Sequence, residues 1–167
     1  MKIIVSACLL GENCKYSGGN NRNDELLRRL SGHAVVPVCP EALGGLPTPR
    51  PPAEIVDGVV TNREGVPVDD AFRLGADRAL EIARRERADW IILQSRSPSC
   101  GVKQIYDGTF SGRLIPGRGV FAELALREGF RVSDVEDVLK GDAADALGPV
   151  EPPLCVQILT PGQIRGL

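Results

Sequence analysis

Apolar positions along this chain come in short runs divided by glycine, proline and asparagine. Lys2-Ile3-Ile4-Val5-Ser6-Ala7 is continuous enough for a buried strand. A Gly- and Asn-rich loop occupies residues 11–23, and Asn23 or Asp24 can cap a short helix over 25–30 that Gly32 ends. Ala34-Val35-Val36-Pro37-Val38 is a second apolar run, which Pro37 should keep short by removing one ladder donor. Four prolines in residues 47–52 stiffen the next loop into extended backbone. Residues 54–61 then form a small hairpin with Asp57-Gly58 at its turn.

Asp69 or Asp70 caps a longer helix, and its Phe72, Ala76, Ala79, Leu80 and Ala83 fall on one face. Trp90-Ile91-Ile92-Leu93 is the next strand, left by a polar loop over 94–101. A helix over 119–128 closed by Gly129, a brief strand at Arg131-Val132, and a helix over 134–139 capped by Ser133 complete the regular pattern. Residues 141–167 mix glycine and proline with the run 154–159, which suits a tail or edge segment packed on the same domain. Alternation of strand and helix predicts a single α/β domain over 1–140. Its sheet should be open, mostly parallel and Rossmann-like, with helices on both faces.

This topology changes the reading of the cysteines. Cys8 follows the first strand almost directly, Cys39 follows the second, and Cys100 lies in the loop leaving Trp90–Leu93. Loops that follow parallel strands gather at one edge of the sheet, where ligands usually bind. Three thiols far apart in sequence are thus expected to meet in space.

Composition narrows what they do there. A chain of 167 residues buries a sufficient core without disulfides. A net charge of −2 makes no electrostatic case for a large nucleic acid or an anionic membrane. The first residues alternate too soon for a signal peptide, so a cytoplasmic protein is expected. Five cysteines, an odd number, with no Cys-x-x-Cys pair, fit neither a disulfide framework nor a zinc ribbon. A lone histidine, His33, speaks against His-rich zinc sites and His-based triads. An iron–sulfur cluster is one chemistry open to clustered thiols, beside a zinc site or a reactive thiolate.

Each segment also has a bland reading. Cys8 could be a small core residue, and Gly18-Gly19 a plain turn. In Cys39-Pro40-Glu41, Pro40 suits the first position of a helix and Glu41 complements its dipole, which does not stop Glu41 sharing the Cys39 pocket. Gln94-Ser95-Arg96-Ser97-Pro98-Ser99-Cys100-Gly101 carries more hydroxyls than a simple connector needs, and can supply several donors to one ligand. Cys14 and Cys155 weigh toward no role. A fourth ligand from Cys14 would close a cluster as an electron-transfer or structural centre, whereas three ligands leave one iron open for Lewis-acid chemistry.

Taken together, the stretches SACLLG, KYSGG, VCPEALGGLPTPRPPAEI, QSRSPSCGVKQIYDGTFSG and GRGVFAEL resemble the thiouracil desulfurase (TudS-like) family. The resemblance runs from Met1 to about Leu139, the first two stretches, the third, and the last two making three separated motifs in the right order. It implies a [4Fe–4S] cluster on Cys8, Cys39 and Cys100 with one open iron. It also implies removal of sulfur from a thiolated pyrimidine such as 2-thiouracil, giving uracil and sulfide without net redox change. The family's Tyr-Asp-Gly reads Tyr16-Ser17-Gly18 here, so one acid is missing from that loop.

On this reading Glu41 is the general base or acid, and Ser97 or Ser99 donates hydrogen bonds to the substrate or to developing charge. Tyr16, Arg50 and Lys103 are weaker candidates for substrate contact. The partner is a small thiolated nucleobase or nucleoside. The alternatives are a zinc- or thiolate-based transferase, and a non-catalytic iron–sulfur or zinc module closed by Cys14.

Overall fold

A computed structural model of the chain describes residues 1–141, 157–160 and 163–164. Its centre is a five-stranded sheet in the order β8-β5-β1-β2-β9, with every neighbouring pair parallel. The strands are β1 (Lys2–Ser6), β2 (Ala34–Val38), β5 (Trp90–Leu93), β8 (Val132–Asp134) and β9 (Gln157–Ile158). Two separate hairpins lie outside this sheet. One is β3 (Ala53–Val56) with β4 (Val59–Asn62), and the other is β6 (Gln104–Tyr106) with β7 (Leu114–Pro116).

Side-chain alternation splits the core into two layers. Ile4, Val36, Ile91 and Leu93 point to one face, where they meet Ala76, Ala79 and Ala83 of α3 (Asp69–Arg85) and Phe121 and Ala125 of α4 (Val120–Arg127). Ile3, Val5, Val35, Trp90 and Ile92 point to the other. There they meet Leu26 of α1 (Asp24–Arg29), the adjoining Leu30, and Val135 and Val138 of α5 (Val135–Lys140). The predicted α/β architecture with helices on both faces is what the chain adopts. Among the described residues no helix is long and apolar enough to cross a membrane.

Several local expectations shift. The first strand ends at Ser6 because Ala7–Leu10 tightens into a 3₁₀ turn, closed by Gly11 at φ 100°. The long helix α3 starts at Asp69 with Val68 as its uncapped N-cap, and Asp69 instead accepts the Val60 backbone N–H. Asp134, not Ser133, caps α5, and Ser133 accepts a bond from the Trp90 indole. The β6–β7 hairpin has no counterpart in the sequence reading. Of the expected tail or edge segment, β9 is an edge strand on β2, while Cys155 and residues 142–156 lie outside the described residues.

One contact seats the candidate chemistry. The short helix α2 (Pro40–Leu43) directly follows Cys39 and packs on α3 through facing glycines. A Cβ on Gly44 would overlap the Ala71 carbonyl, and one on Gly75 would overlap the Pro40 carbonyl and stand 2.9 Å from the Gly44 nitrogen. Backbone cannot yield as a flexible side-chain end can. Gly75→Ala is therefore expected to cost about 3 kcal/mol in denaturant unfolding, by prising α2 away from α3. An unchanged midpoint would disprove the tight packing.

Candidate functional site

The C-terminal ends of β1, β2 and β5 open onto one cavity of about 530 Å³. Cys8, Cys39 and Cys100 all line it, together with Cys14, Glu41, Ser97 and Ser99. Each thiol arrives by a different local device. Cys8 sits in the 3₁₀ turn that bends the chain off β1. Cys39 is the extended N-cap residue of α2, with Pro40 at the first helical position, where a missing N–H costs nothing.

Cys100 lies in a loop sewn to the start of α4. The N–H groups of Val120 and Phe121 donate to the carbonyls of Pro98 and Ser99, and that of Gly119 to the carbonyl of Gly101. A Cβ on Gly119 would stand 2.7 Å from the Ser99 carbonyl oxygen, so the seam needs glycine there. This gives the GRGVFAEL stretch its physical role.

Each of the three sulfurs has polar neighbours. Asn21 Nδ2 donates to Cys8 Sγ at 3.5 Å. Cys39 Sγ stands 3.9 Å from the Cys14 carbonyl oxygen. Ser99 Oγ stands 3.6 Å from Cys100 Sγ, with Ser6 on its other side. Polar groups beside the sulfurs tune thiolate ligands of a cluster. Among the described residues no group of three or more His, Cys, Asp or Glu side chains is arranged to hold a single metal ion. Three thiols nevertheless line one cavity, and thiolates are the ligands an iron–sulfur cluster takes. The donor set therefore fits an iron–sulfur cluster.

The three thiols differ electrostatically. Burial pushes the Cys8 thiol up and the Cys100 thiol up to about 12. Cys39 is drawn down to about 7, first by the hydrogen bond from Cys14, with help from the Ala42 backbone N–H and the Arg50 charge. Thiolate is the reactive form and accumulates as pH rises through the pKa. In the metal-free chain, iodoacetamide should therefore label Cys39 before Cys8 or Cys100, with half-maximal rate near pH 7. Peptide mass spectrometry checks this, and uniform labelling of the three thiols would contradict it.

Glu41 is half-buried and held at both oxygens. Arg50 approaches Oε1 at 3.2 Å, and Ser99 Oγ donates to Oε2 at 2.8 Å. Ser97 Oγ lies 2.8 Å from Ser99 Oγ and accepts the backbone N–H groups of Ser99 and Cys100. With its lone pairs engaged by those N–H groups, Ser97 gives its proton to Ser99, and Ser99 gives its own to Glu41. The two serines thus form a directed relay ending on the carboxylate.

Arg50 has a buried side chain, only 6% exposed. Besides Glu41, it reaches the carbonyls of Cys14 and Pro47 and the Thr48 hydroxyl, while its own N–H bonds the Tyr16 carbonyl. It fastens the 14–16 loop to α2, and the rigid proline segment serves to aim it. Tyr16 lines the cavity and is 43% exposed. Lys103 is not brought to the site: its ammonium pairs with Asp137 at 2.7 Å, away from the cavity lining.

The sequence reading missed one wall. Glu54 Oε1 accepts the N–H groups of Gly108 and Phe110, which ties the β6–β7 loop to the β3–β4 hairpin. Phe110 and Tyr106 thereby line the cavity, with Arg63 over the Phe110 ring. These residues fall in or beside the stretches that carry the family resemblance, yet nothing in their types or spacing announces a shared wall. Asn21 was also missed, since an asparagine among four in a loop carries no sign that it faces a sulfur.

Comparison with known proteins agrees with the chemistry of this cavity. A family model described as 2-thiouracil desulfurase matches residues 3–137. The uncharacterized protein YbbK of Bacillus subtilis is 37% identical over 150 residues, spanning 82% of this chain and 99% of that protein. Among solved structures, the [4Fe–4S]-dependent thiouracil desulfidase TudS is similar at a TM-score of 0.78 and 37% identity. The match covers 87% of this chain and 98% of that one.

Proposed function

This chain belongs to the 2-thiouracil desulfurase family and is an iron–sulfur-dependent thiouracil desulfurase, and we propose that it cleaves the C–S bond of a small thiolated pyrimidine through a [4Fe–4S] cluster held by Cys8, Cys39 and Cys100. The observation that carries this reading is the one cavity lined by three thiols and a doubly anchored carboxylate. When bound, a cluster with three protein ligands supplies an open, soft Lewis-acid iron that suits a thiocarbonyl sulfur.

The chain's own residues do the rest. Glu41 takes a proton from the water that attacks the thiocarbonyl carbon, and returns it as sulfide leaves. Arg50 and Ser99 fix the plane of its carboxylate, and Oε2, with Ser99 as its one donor, keeps a second lone pair for that proton. The Ser97–Ser99 relay lets the hydroxyl protons follow the charge on Glu41 without reorganising the loop. Phe110 and Tyr106 give the flat ring an apolar and aromatic wall. The balance is one thiocarbonyl and one water giving one carbonyl and one hydrogen sulfide, with no external electron donor. A reducing cytoplasm, which preserves exposed thiols and clusters, is the compartment this chemistry needs.

The test is anaerobic reconstitution with iron and sulfide, followed by 2-thiouracil. Uracil and sulfide should appear in equal amounts, without added reductant, and only in the iron-loaded protein. Equal turnover by the metal-free chain would overturn the reading.

A further inference from the structure

The desulfurase reading leaves one nucleophilic side chain of the cavity unused. Cys14 lies on the loop between the 3₁₀ turn and α1, half-buried, and lines the cavity beside Cys39. Cys39 Sγ also stands 3.9 Å from the Cys14 carbonyl oxygen, and Arg50 Nη2 grips that carbonyl at 2.9 Å. The backbone beside the Cys14 thiol is thus held against Cys39. The other two thiols face amide and hydroxyl groups, Cys8 taking the Asn21 amide and Cys100 lying beside Ser6 and Ser99.

We propose that Cys14 and Cys39 form a redox modification site, a reversible disulfide that closes when oxidation strips the cluster and that shields Cys39 from irreversible oxidation. The shielding part rests on the reading of Cys39 as a cluster ligand. Geometry selects this pair. Cys8 is set in a tight turn growing straight out of β1, and Cys100 is 5% exposed in a loop sewn to α4. Cys14 sits on irregular backbone whose carbonyl already stands 3.9 Å from the Cys39 sulfur, and a shift of that loop can bring the two sulfurs to disulfide geometry.

The step balances with a hydroperoxide as oxidant. One sulfur attacks the peroxide, the O–O bond breaks, and a sulfenic acid and one water form. The second sulfur attacks the first, the S–O bond breaks, the S–S bond forms, and a second water leaves. The two sulfurs give up two electrons and the peroxide takes them. A dithiol reductant restores both thiols and leaves as its own cyclic disulfide. Without Cys14, the sulfenic acid on Cys39 meets further peroxide and advances to sulfinic acid, which a dithiol cannot reverse.

The experiment treats the full-length, iron-loaded protein with hydrogen peroxide until its cluster absorbance is lost, then digests it without reduction. Cys8 and Cys14 share one tryptic peptide, so cleavage after Glu12 as well as Lys15 is needed to isolate Asn13-Cys14-Lys15. This fragment should be joined to the peptide containing Cys39. After dithiothreitol and anaerobic reloading, the native chain should regain most of its iron. Cys14→Ser and Cys14→Ala, treated identically, should carry sulfinic acid at Cys39 and regain at least about fivefold less iron.

A bridge from Cys39 to Cys8 or Cys100, or full recovery by both Cys14 variants, would overturn the proposal. A chain that never takes up iron would defeat the functional reading instead. Peroxide treatment of that metal-free protein would still show whether Cys14 and Cys39 pair.

Discussion

Replacing Cys8, Cys39 or Cys100 by alanine, one at a time, is expected to remove cluster binding and lower sulfide release from 2-thiouracil by at least about a thousandfold, the scale of losing a metal's Lewis-acid contribution. The three positions should behave alike because, among the described residues, no spare thiol occupies an equivalent place. Cys14 is the nearest substitute, but it approaches Cys39 from an adjacent loop, its carbonyl oxygen 3.9 Å from the Cys39 sulfur. It sits on neither the turns that follow β1 and β2 nor the loop that follows β5. Cys14→Ala should therefore keep its iron and most of its turnover under anaerobic conditions. Anaerobic iron and labile-sulfide analysis, run beside the turnover assay, reads both outcomes. Retention of a full cluster in any of the first three variants would remove that cysteine from the ligand set. Loss of the cluster in Cys14→Ala would favour a closed, four-cysteine centre.

Glu41→Gln should lower kcat by about a hundred- to ten-thousandfold, the usual worth of a positioned general base, while leaving cluster content unchanged. The substitution is close to isosteric. The carboxamide that replaces the carboxylate can still accept from Arg50 through its carbonyl. Its amide can donate to Ser99, whose hydroxyl oxygen accepts as readily as its proton donates. Geometry survives and the proton acceptor is lost, so the change should appear in kcat rather than in KM. A kcat within about threefold of the native value would take Glu41 out of the chemistry and leave it a structural tie between α2 and the 97–101 loop.

Much of this was open to a reader of the sequence. Unbroken apolar runs such as Ile3-Ile4-Val5 and Trp90-Ile91-Ile92-Leu93 can only be central strands of a sheet covered on both faces. Their alternation with helical patterns then dictates parallel order, which by itself sends Cys8, Cys39 and Cys100 to one edge. Pro40 at a helix start and Asp57-Gly58 at a hairpin turn were legible for the same reason: their conformational preferences are local. The caps at Asp69 and Ser133 were misassigned because either residue offers an oxygen. Val60 and Trp90, which are remote in sequence, claimed those oxygens first.

What the sequence determined by itself is the fold class, the edge of the sheet where chemistry gathers, and the residue types able to perform it. These follow from periodicity and backbone preference, which act over a few residues. Only the tertiary structure decided which hydroxyl gives its proton to Glu41, that Arg50 lines the cavity while tied to Glu41 and the 14–16 loop, that Lys103 belongs to Asp137, and that Cys14 faces Cys39. Each of those outcomes depends on the direction of a side chain relative to atoms from 2 to 58 residues away. Such directions are set by the packing of whole elements against one another.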